Sequence, residues 1–325
     1  MSGNNVMNEK EELIRSWLSD GGKKLFDDMY YCRSLGAASN IRSIGSILLD
    51  VADGDTDPSS LLDKVQEILS YYEEKRGSSS YAILRAVRMI GRKIHENLEN
   101  SHLSLQEIIK NAISSYNEDA AMRLNKLKEY GWNIIRNLSS ILIFDYSSSV
   151  NAMMEVSSQN GHILDVYVPE SRILDGGHQF IRNGVALGHR MHYIPDAGLS
   201  RFIQKVDAAF IGAETVYPDG SVMNTLGSEL TALLCSMYNV PLYVPTTFSK
   251  LDPAGFQGKK KMEKLEDGSS YFGLQLEEDL RKKISIDVVG LVNVPTKDIT
   301  AFITEYGVIP PYSMYTEAKS FMEEA

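Results

Sequence analysis

The sequence predicts an α/β protein, with an N-terminal helical domain over residues 1–137 and a Rossmann-like, mostly parallel sheet domain over 138–325. Up to about Asn137, apolar residues recur three and four apart, as on one face of a helix. Beyond it, short apolar runs alternate with helical ones, the pattern of parallel strands joined by crossover helices. With 325 residues, 43% of them hydrophobic and 23% charged, the chain is long enough for two domains and a sizeable core.

In the first half, "NEKEELIRSWLSDGGKKLFDDMYYC" places Leu13, Ile14, Trp17 and Leu18 at helical spacing. Asp57-Pro58 supplies an N-cap and first-turn proline to "DPSSLLDKVQEILSYYEEKRG". Ser104-x-x-Glu107 forms a capping box at the head of a further helix. Almost no β-rich run interrupts these segments, so they read as antiparallel helices.

In the second half the expected strands are "SILIF" (140–144), "HILDVYV" (162–168), "HRMHYIP" (189–195), "AAFIGAE" (208–214), "PLYVPT" (241–246) and "DVVGLVNV" (287–294). The polar, Lys-rich stretch 251–270 reads as a mobile excursion between strands. No internal repeat is present.

The net charge of −10 argues against direct nucleic-acid binding, which relies on a basic surface, but leaves room for a local basic pocket. Cys32 and Cys235 lie far apart in apolar helical contexts and read as buried thiols. No CxxC or HxxxH spacing suggests a metal site, and no cofactor is expected. No apolar run approaches the ~20 residues that span a bilayer. The opening residues carry no apolar signal region, so a reducing cytoplasm is expected.

In a doubly wound sheet, side chains at the carboxyl ends of the strands face one crevice. Strand one delivers Asp145, Tyr146 and the serines Ser147–Ser149, which cap a helix or hold a phosphate. Strand two delivers Glu170, Ser171 and Arg172, then Gly176, Gly177 and His178 ahead of a helix. Arg172 suits a bidentate contact with phosphate, or else pairs with Glu170 at the surface. GxGxxG is absent, so this is no dinucleotide fingerprint. Strand three ends at Asp196. Strand four ends at Glu214, with Asn224, Gly227 and Ser228 after a hairpin. Strand five leads to Thr246, Thr247 and Lys250. Cationic and hydroxyl groups converging on one mouth favour an anionic ligand.

Three of these segments resemble the family that contains the regulatory α, β and δ subunits of translation initiation factor 2B, methylthioribose-1-phosphate isomerase and ribose-1,5-bisphosphate isomerase. They are "PESRILDGGHQF", "VDAAFIGAETVYPDGSVMNTLGS" and "ITAFITEYGVIPP". The resemblance covers roughly the last 200 residues. It implies a sugar-phosphate crevice, pairing of chains through the α/β domain and, in the isomerases, a catalytic cysteine at the end of strand one with an aspartate after strand four. Here those places hold Asp145 and Glu214, the latter as in the α-type subunit. The family's Ser-Arg-Pro becomes Ser-Arg-Ile173, its Gly-Arg becomes Gly177-His178, and its Asn-Lys becomes Asn224-Thr225, which removes a cation.

An aldose–ketose isomerase moves a proton or hydride between adjacent carbons with groups on either side of the substrate. Asp145 and Glu214 can do this only if one has a raised pKa; otherwise both hydrogen-bond sugar hydroxyls. The expectation is therefore binding of a phosphorylated sugar or nucleotide without the family's isomerisation. The alternative is a sugar 1-phosphate isomerase using Asp145 and Glu214. Ser147, Arg172, Gly177, His178, Asp196, Asn224 and Lys250 are the expected binding residues. A homodimer, or a higher assembly of dimers, is expected. Leu226, Leu230, Leu233, Leu234 and Met237 surround one helix, and Tyr312, Met314 and Tyr315 are read as exposed.

Overall fold

A computed structural model describes residues 7–31, 36–77, 80–100, 102–173, 175–268 and 277–324. It divides into two compact units, residues 1–122 and 123–325. The division falls inside the long helix α6, whereas the sequence boundary at 137 falls just beyond that helix's end.

The first unit is helical: α1 (Glu9–Ser16), α2 (Asp20–Tyr30), α3 (Ala37–Gly54), α4 (Pro58–Gly77), α5 (Tyr81–Asn100) and the start of α6 (Leu105–Ile135). No strand occurs among its described residues. Side chains such as Phe26, Ile44, Leu48, Leu61, Ile68, Ile90 and Ile109 form its core. Local chemistry starts the helices as read. The Asp57 carboxylate accepts the Ser60 N–H at 3.0 Å, and Ser104 and Glu107 exchange both bonds of a capping box. A second box, Asn8 with Glu11, opens α1. Ile14 and Leu18 are buried, but Leu13 is half exposed. Successive helical residues point about 100° apart, and on this helix Leu13 falls to the solvent side of Ile14.

The second unit carries a seven-stranded sheet in the order β12-β11-β7-β4-β1-β2-β3. Its strands are β1 (Ser140–Phe144), β2 (Asp165–Pro169), β3 (Arg190–Ile194), β4 (Ala208–Ile211), β7 (Leu242–Pro245), β11 (Ala301–Thr304) and β12 (Gly307–Ile309). All neighbours are parallel except β11 with β12. Helices α7 (Ser148–Gln159), α8 (Gly176–Ala186), α9 (Leu199–Phe202) and α10 (Ser228–Tyr238) lie between strands. The chain runs outward from β1 to β2 and β3, then returns to place β4 on the other side of β1. That reversal makes the carboxyl ends of β1 and β4 the topological switch point, the place where open α/β sheets form a ligand crevice. Two buried clusters line opposite faces of the sheet: Leu142, Phe144, Ala209 and Ile211 belong to one, Ile141, Ile143, Ala208 and Phe210 to the other.

The stretch 287–294 departs from expectation. It is not a strand of the main sheet but two short strands, β9 (Asp287–Val289) and β10 (Leu291–Val294), divided at Gly290. β10 joins a small antiparallel sheet with β6 (Val222–Thr225) and β5 (Thr215–Val216), while β9 pairs with β8 (Leu265–Asp267). The main sheet is completed instead by β11 and β12, from "ITAFITEYGVIPP". The described part of the Lys-rich stretch is tied down: Asp252 caps a turn at Pro253–Gln257, and Lys260 and Lys261 both bond to the β5–β6 hairpin. Residues 269–270 of that stretch, like Cys32, lie outside the described residues. Cys235 is buried. Among the described residues, no helix is long and apolar enough to cross a membrane.

Candidate functional site

The crevice centres on Asp145, one residue past β1. Asp145 is buried, 7% exposed, and has φ of 55°, in the left-handed region. Ser171 and Asp175, in the neighbouring β2–α8 loop, share that conformation at 49° and 51°. Each such residue costs of order 1 kcal/mol, and such strain persists where surrounding contacts over-determine it. Here the contacts are visible. The Ser171 hydroxyl donates to Asp145 Oδ1 at 3.1 Å, and the Thr225 hydroxyl donates to Oδ2 at 2.6 Å. The Ser171 and Arg172 N–H groups donate to the two oxygens of Asp196, both at 2.9 Å. One network thus joins the ends of β1, β2 and β3 to β6.

The same place demands glycine. A Cβ on Gly176 would lie 2.0 Å from Asp145 Oδ1 and 2.8 Å from the Tyr146 nitrogen. A Cβ on Gly177 would lie 2.2 Å from the Pro169 carbonyl, so α8 begins tight against the end of β2. Gly212, after β4, leaves room for Ser147, which caps α7. Asn224 is buried beside it and donates to Ser228 Oγ at 2.8 Å.

Glu214, three residues past β4, acts electrostatically on Asp145, Lys250 and Lys261. Burial raises the Asp145 pKa above the ordinary carboxylate value. Its hydrogen bonds pull the other way, and the nearby Glu214 charge adds to the rise. Burial lowers the Lys250 and Lys261 pKa values, against the pull of Glu214. Lys250 Nζ donates to the Ala213 carbonyl at 2.5 Å. Lys261 Nζ donates to Thr215 Oγ1 at 2.9 Å.

Of the expected residues, Asp145, Glu214, Asp196, Asn224, Ser147 and Lys250 fall at this crevice. The backbone of Arg172 belongs to the network through Asp196, but its side chain is exposed and acts on Tyr193. His178 is also exposed, in the first turn of α8. Gly177 serves close packing. Ser171 and Thr225, the two residues that hold Asp145, and Lys261 were not among the expected site residues. The resemblance marked Thr225 only as the place of a lost lysine, and nothing in the sequence marks Lys261; their partners lie 80 and 46 residues away.

Away from the crevice, α10 leaves Leu230, Leu233 and Met237 at 43%, 57% and 69% exposure, while Leu234 is buried. Tyr312 and Tyr315 are exposed as expected. Met314 is not: it is 1% exposed and belongs to the core, because it begins the C-terminal helix on its inward side.

The profile of the initiation factor 2 subunit family matches residues 38–311. Ribose 1,5-bisphosphate isomerase of Archaeoglobus fulgidus is 24% identical over 284 residues, 86% of this chain and 87% of that one. Translation initiation factor eIF2B subunit alpha of Dictyostelium discoideum is 22% identical, over 79% of this chain and 81% of its own length. Among solved structures, 5-methylthioribose 1-phosphate isomerase from Pyrococcus horikoshii superposes with a TM-score of 0.76 at 18% identity, covering 94% of this chain and 88% of that one. A chain of the tetrameric eIF2B-beta2-delta2 complex from C. thermophilum superposes at 0.61 with 15% identity, covering 97% and 99%. With the profile spanning most of its length, the chain belongs to the initiation factor 2 subunit family.

Proposed function

We propose that this protein binds a phosphorylated small molecule, a sugar phosphate or a nucleotide, in the crevice beyond β1 and β4, without isomerising it. The observation that carries this reading is the double engagement of Asp145. Where the resemblance calls for a catalytic thiol, a buried carboxylate accepts one hydroxyl on each oxygen and ties three strand ends together. A group that shuttles a proton must reach the substrate atom it serves. Asp145 is instead spent on holding the loops that shape the crevice. The relatives whose names specify sugar phosphates support the ligand class, and Lys250 and Lys261 supply cations beside Glu214. Thermal-shift screening against sugar phosphates and nucleotides tests it, with the sugars checked by NMR. Stabilisation without conversion is expected; conversion of any aldose phosphate overturns the reading.

A second reading, isomerisation by Asp145 and Glu214, is favoured by one observation. Burial and the Glu214 charge both push the Asp145 pKa upward, which is how a carboxyl group becomes a general acid beside an ionised partner. Under it, Asp145→Asn abolishes turnover and spares binding. Activity that survives this change removes Asp145 as the acid.

We further propose that two copies pair through the α/β unit. Leu230, Leu233 and Met237 recur at helical spacing on α10, and soluble monomers rarely leave such a stripe uncovered. The relative solved as a tetrameric complex fits this reading.

A further inference from the structure

Six residues, Lys259 to Lys264, contain four lysines, and a run of that kind is ordinarily a solvated surface. One of the four is turned inward. Lys261 is partly buried, whereas Lys259, Lys260 and Lys264 are exposed. Its ammonium reaches the hydroxyl of Thr215, a residue with no exposed surface that directly follows Glu214. Glu214 pulls on it electrostatically more than Asp252 does; the Asp252 carboxylate also caps the turn at Ala254.

The backbone around Lys261 is held as firmly as the side chain. The Lys261 N–H donates to the hydroxyl of the fully buried Tyr217 at 2.9 Å. Lys260 grips Asp219 at 2.5 Å and the Ser221 hydroxyl at 2.7 Å, and sits 5.3 Å over the Tyr217 ring. Glu263 accepts the Asn293 N–H at 3.0 Å. The segment is thus a strap laid across the β5–β6 hairpin, with neighbours on both sides of Lys261 anchored. Taking an ammonium partly out of water costs free energy, and a plain surface ion pair does not require it. Lys250 already faces Glu214 from the β7 side, so Glu214 does not need a second cation for neutralisation.

We propose that Lys261 is a ligand-binding residue: the strap delivers its ammonium to the Glu214 end of the crevice, where it holds an anionic group, phosphate or carboxylate, of the bound small molecule. Lys260 and Tyr217 are positioning residues for it. This rests on the proposed ligand-binding role of the crevice and adds a residue that comes from outside the parallel sheet.

The test is calorimetric titration of the full chain with ribose 1,5-bisphosphate and with inorganic phosphate, at two salt concentrations. Wild type is compared with Lys261→Gln, Lys261→Arg and the exposed-site control Lys264→Gln. Loss of a charge-assisted hydrogen bond predicts weakening by about tenfold or more in Lys261→Gln, partial recovery in Lys261→Arg and a shallower salt dependence in Lys261→Gln. Lys264→Gln binds as wild type. Binding by Lys261→Gln within twofold of wild type, or equal weakening in Lys264→Gln, overturns the proposal while leaving the crevice's role standing. Failure of the wild type to bind either probe overturns the proposal for Lys261, and the crevice's role falls with it only if no sugar phosphate or nucleotide binds.

Discussion

Thr225 donates its hydroxyl to Asp145 Oδ2 at 2.6 Å, across 80 residues of sequence and from a different sheet. This bond fixes the β5–β6 hairpin over the end of β1, and with it the position of Asn224 beside Ser147 and Gly212. Thr225→Val keeps the shape and removes the donor from a buried carboxyl group. A cost of about 2 kcal/mol is expected in urea unfolding, with Thr225→Ser close to wild type. A loss below about 0.5 kcal/mol, the scale of an ordinary surface change, means the bond does not hold the site.

Gly176 is the steric counterpart of that bond. In Gly176→Ala, the added methyl meets the Asp145 carboxylate and the Tyr146 backbone. Asp145 must move, so ligand binding and stability fall together, the latter by about 1–3 kcal/mol as for an overpacked core. Gly161→Ala probes backbone strain alone, because nothing lies within 4 Å of its Cβ. Intact ligand binding in Gly176→Ala contradicts the close packing of α8 on Asp145.

His189 makes a prediction about pH. Its ring is buried between the Leu164 N–H, 3.2 Å from Nδ1, and the Met154 carbonyl, 2.9 Å from Nε2. These partners require the neutral ring with its proton on Nε2. Burial lowers its pKa below the ordinary 6.5, and His162 adds to that. Protons therefore bind the unfolded chain first as pH falls through about 6.5, and the stability contributed by His189 is lost from there downward until the folded ring titrates. The stability gap between wild type and His189→Gln should narrow from pH 7 to pH 5. A gap that stays constant across that range shows that the ring is not held neutral.

The exposed stripe on α10 predicts self-association. Sedimentation at micromolar concentration should give a dimer or a multiple of it, and Leu233→Lys with Met237→Lys should shift the mass toward 36.3 kDa. Because both positions are more than half exposed, the double variant should fold normally. A wild-type monomer contradicts pairing through this face.

What the sequence revealed follows from the range of the forces involved. The buried strands β1 and β4 announce themselves as unbroken apolar runs, because both faces of a parallel sheet are covered. Asp145 and Glu214 were legible because they sit a fixed one and three residues beyond those runs. The stretch 287–294 misled because its alternating apolar residues suit a strand in either sheet, and Gly290 breaks it without changing that pattern. Met314 looked exposed beside Tyr312 and Tyr315, but helical geometry turns it inward. Lys261 is the clearest limit: its inward turn depends on Tyr217 and Lys260, and a run of lysines carries no sign of which one leaves the solvent.

The most direct measurement is a titration with ribose 1,5-bisphosphate in which binding heat and the phosphorus NMR spectrum are followed on the same sample. The account predicts a saturable heat and phosphorus resonances that shift with occupancy but give rise to no new species over hours. Resonances of a ketose product growing with time would contradict it, and so would the absence of any saturable heat across sugar phosphates and nucleotides.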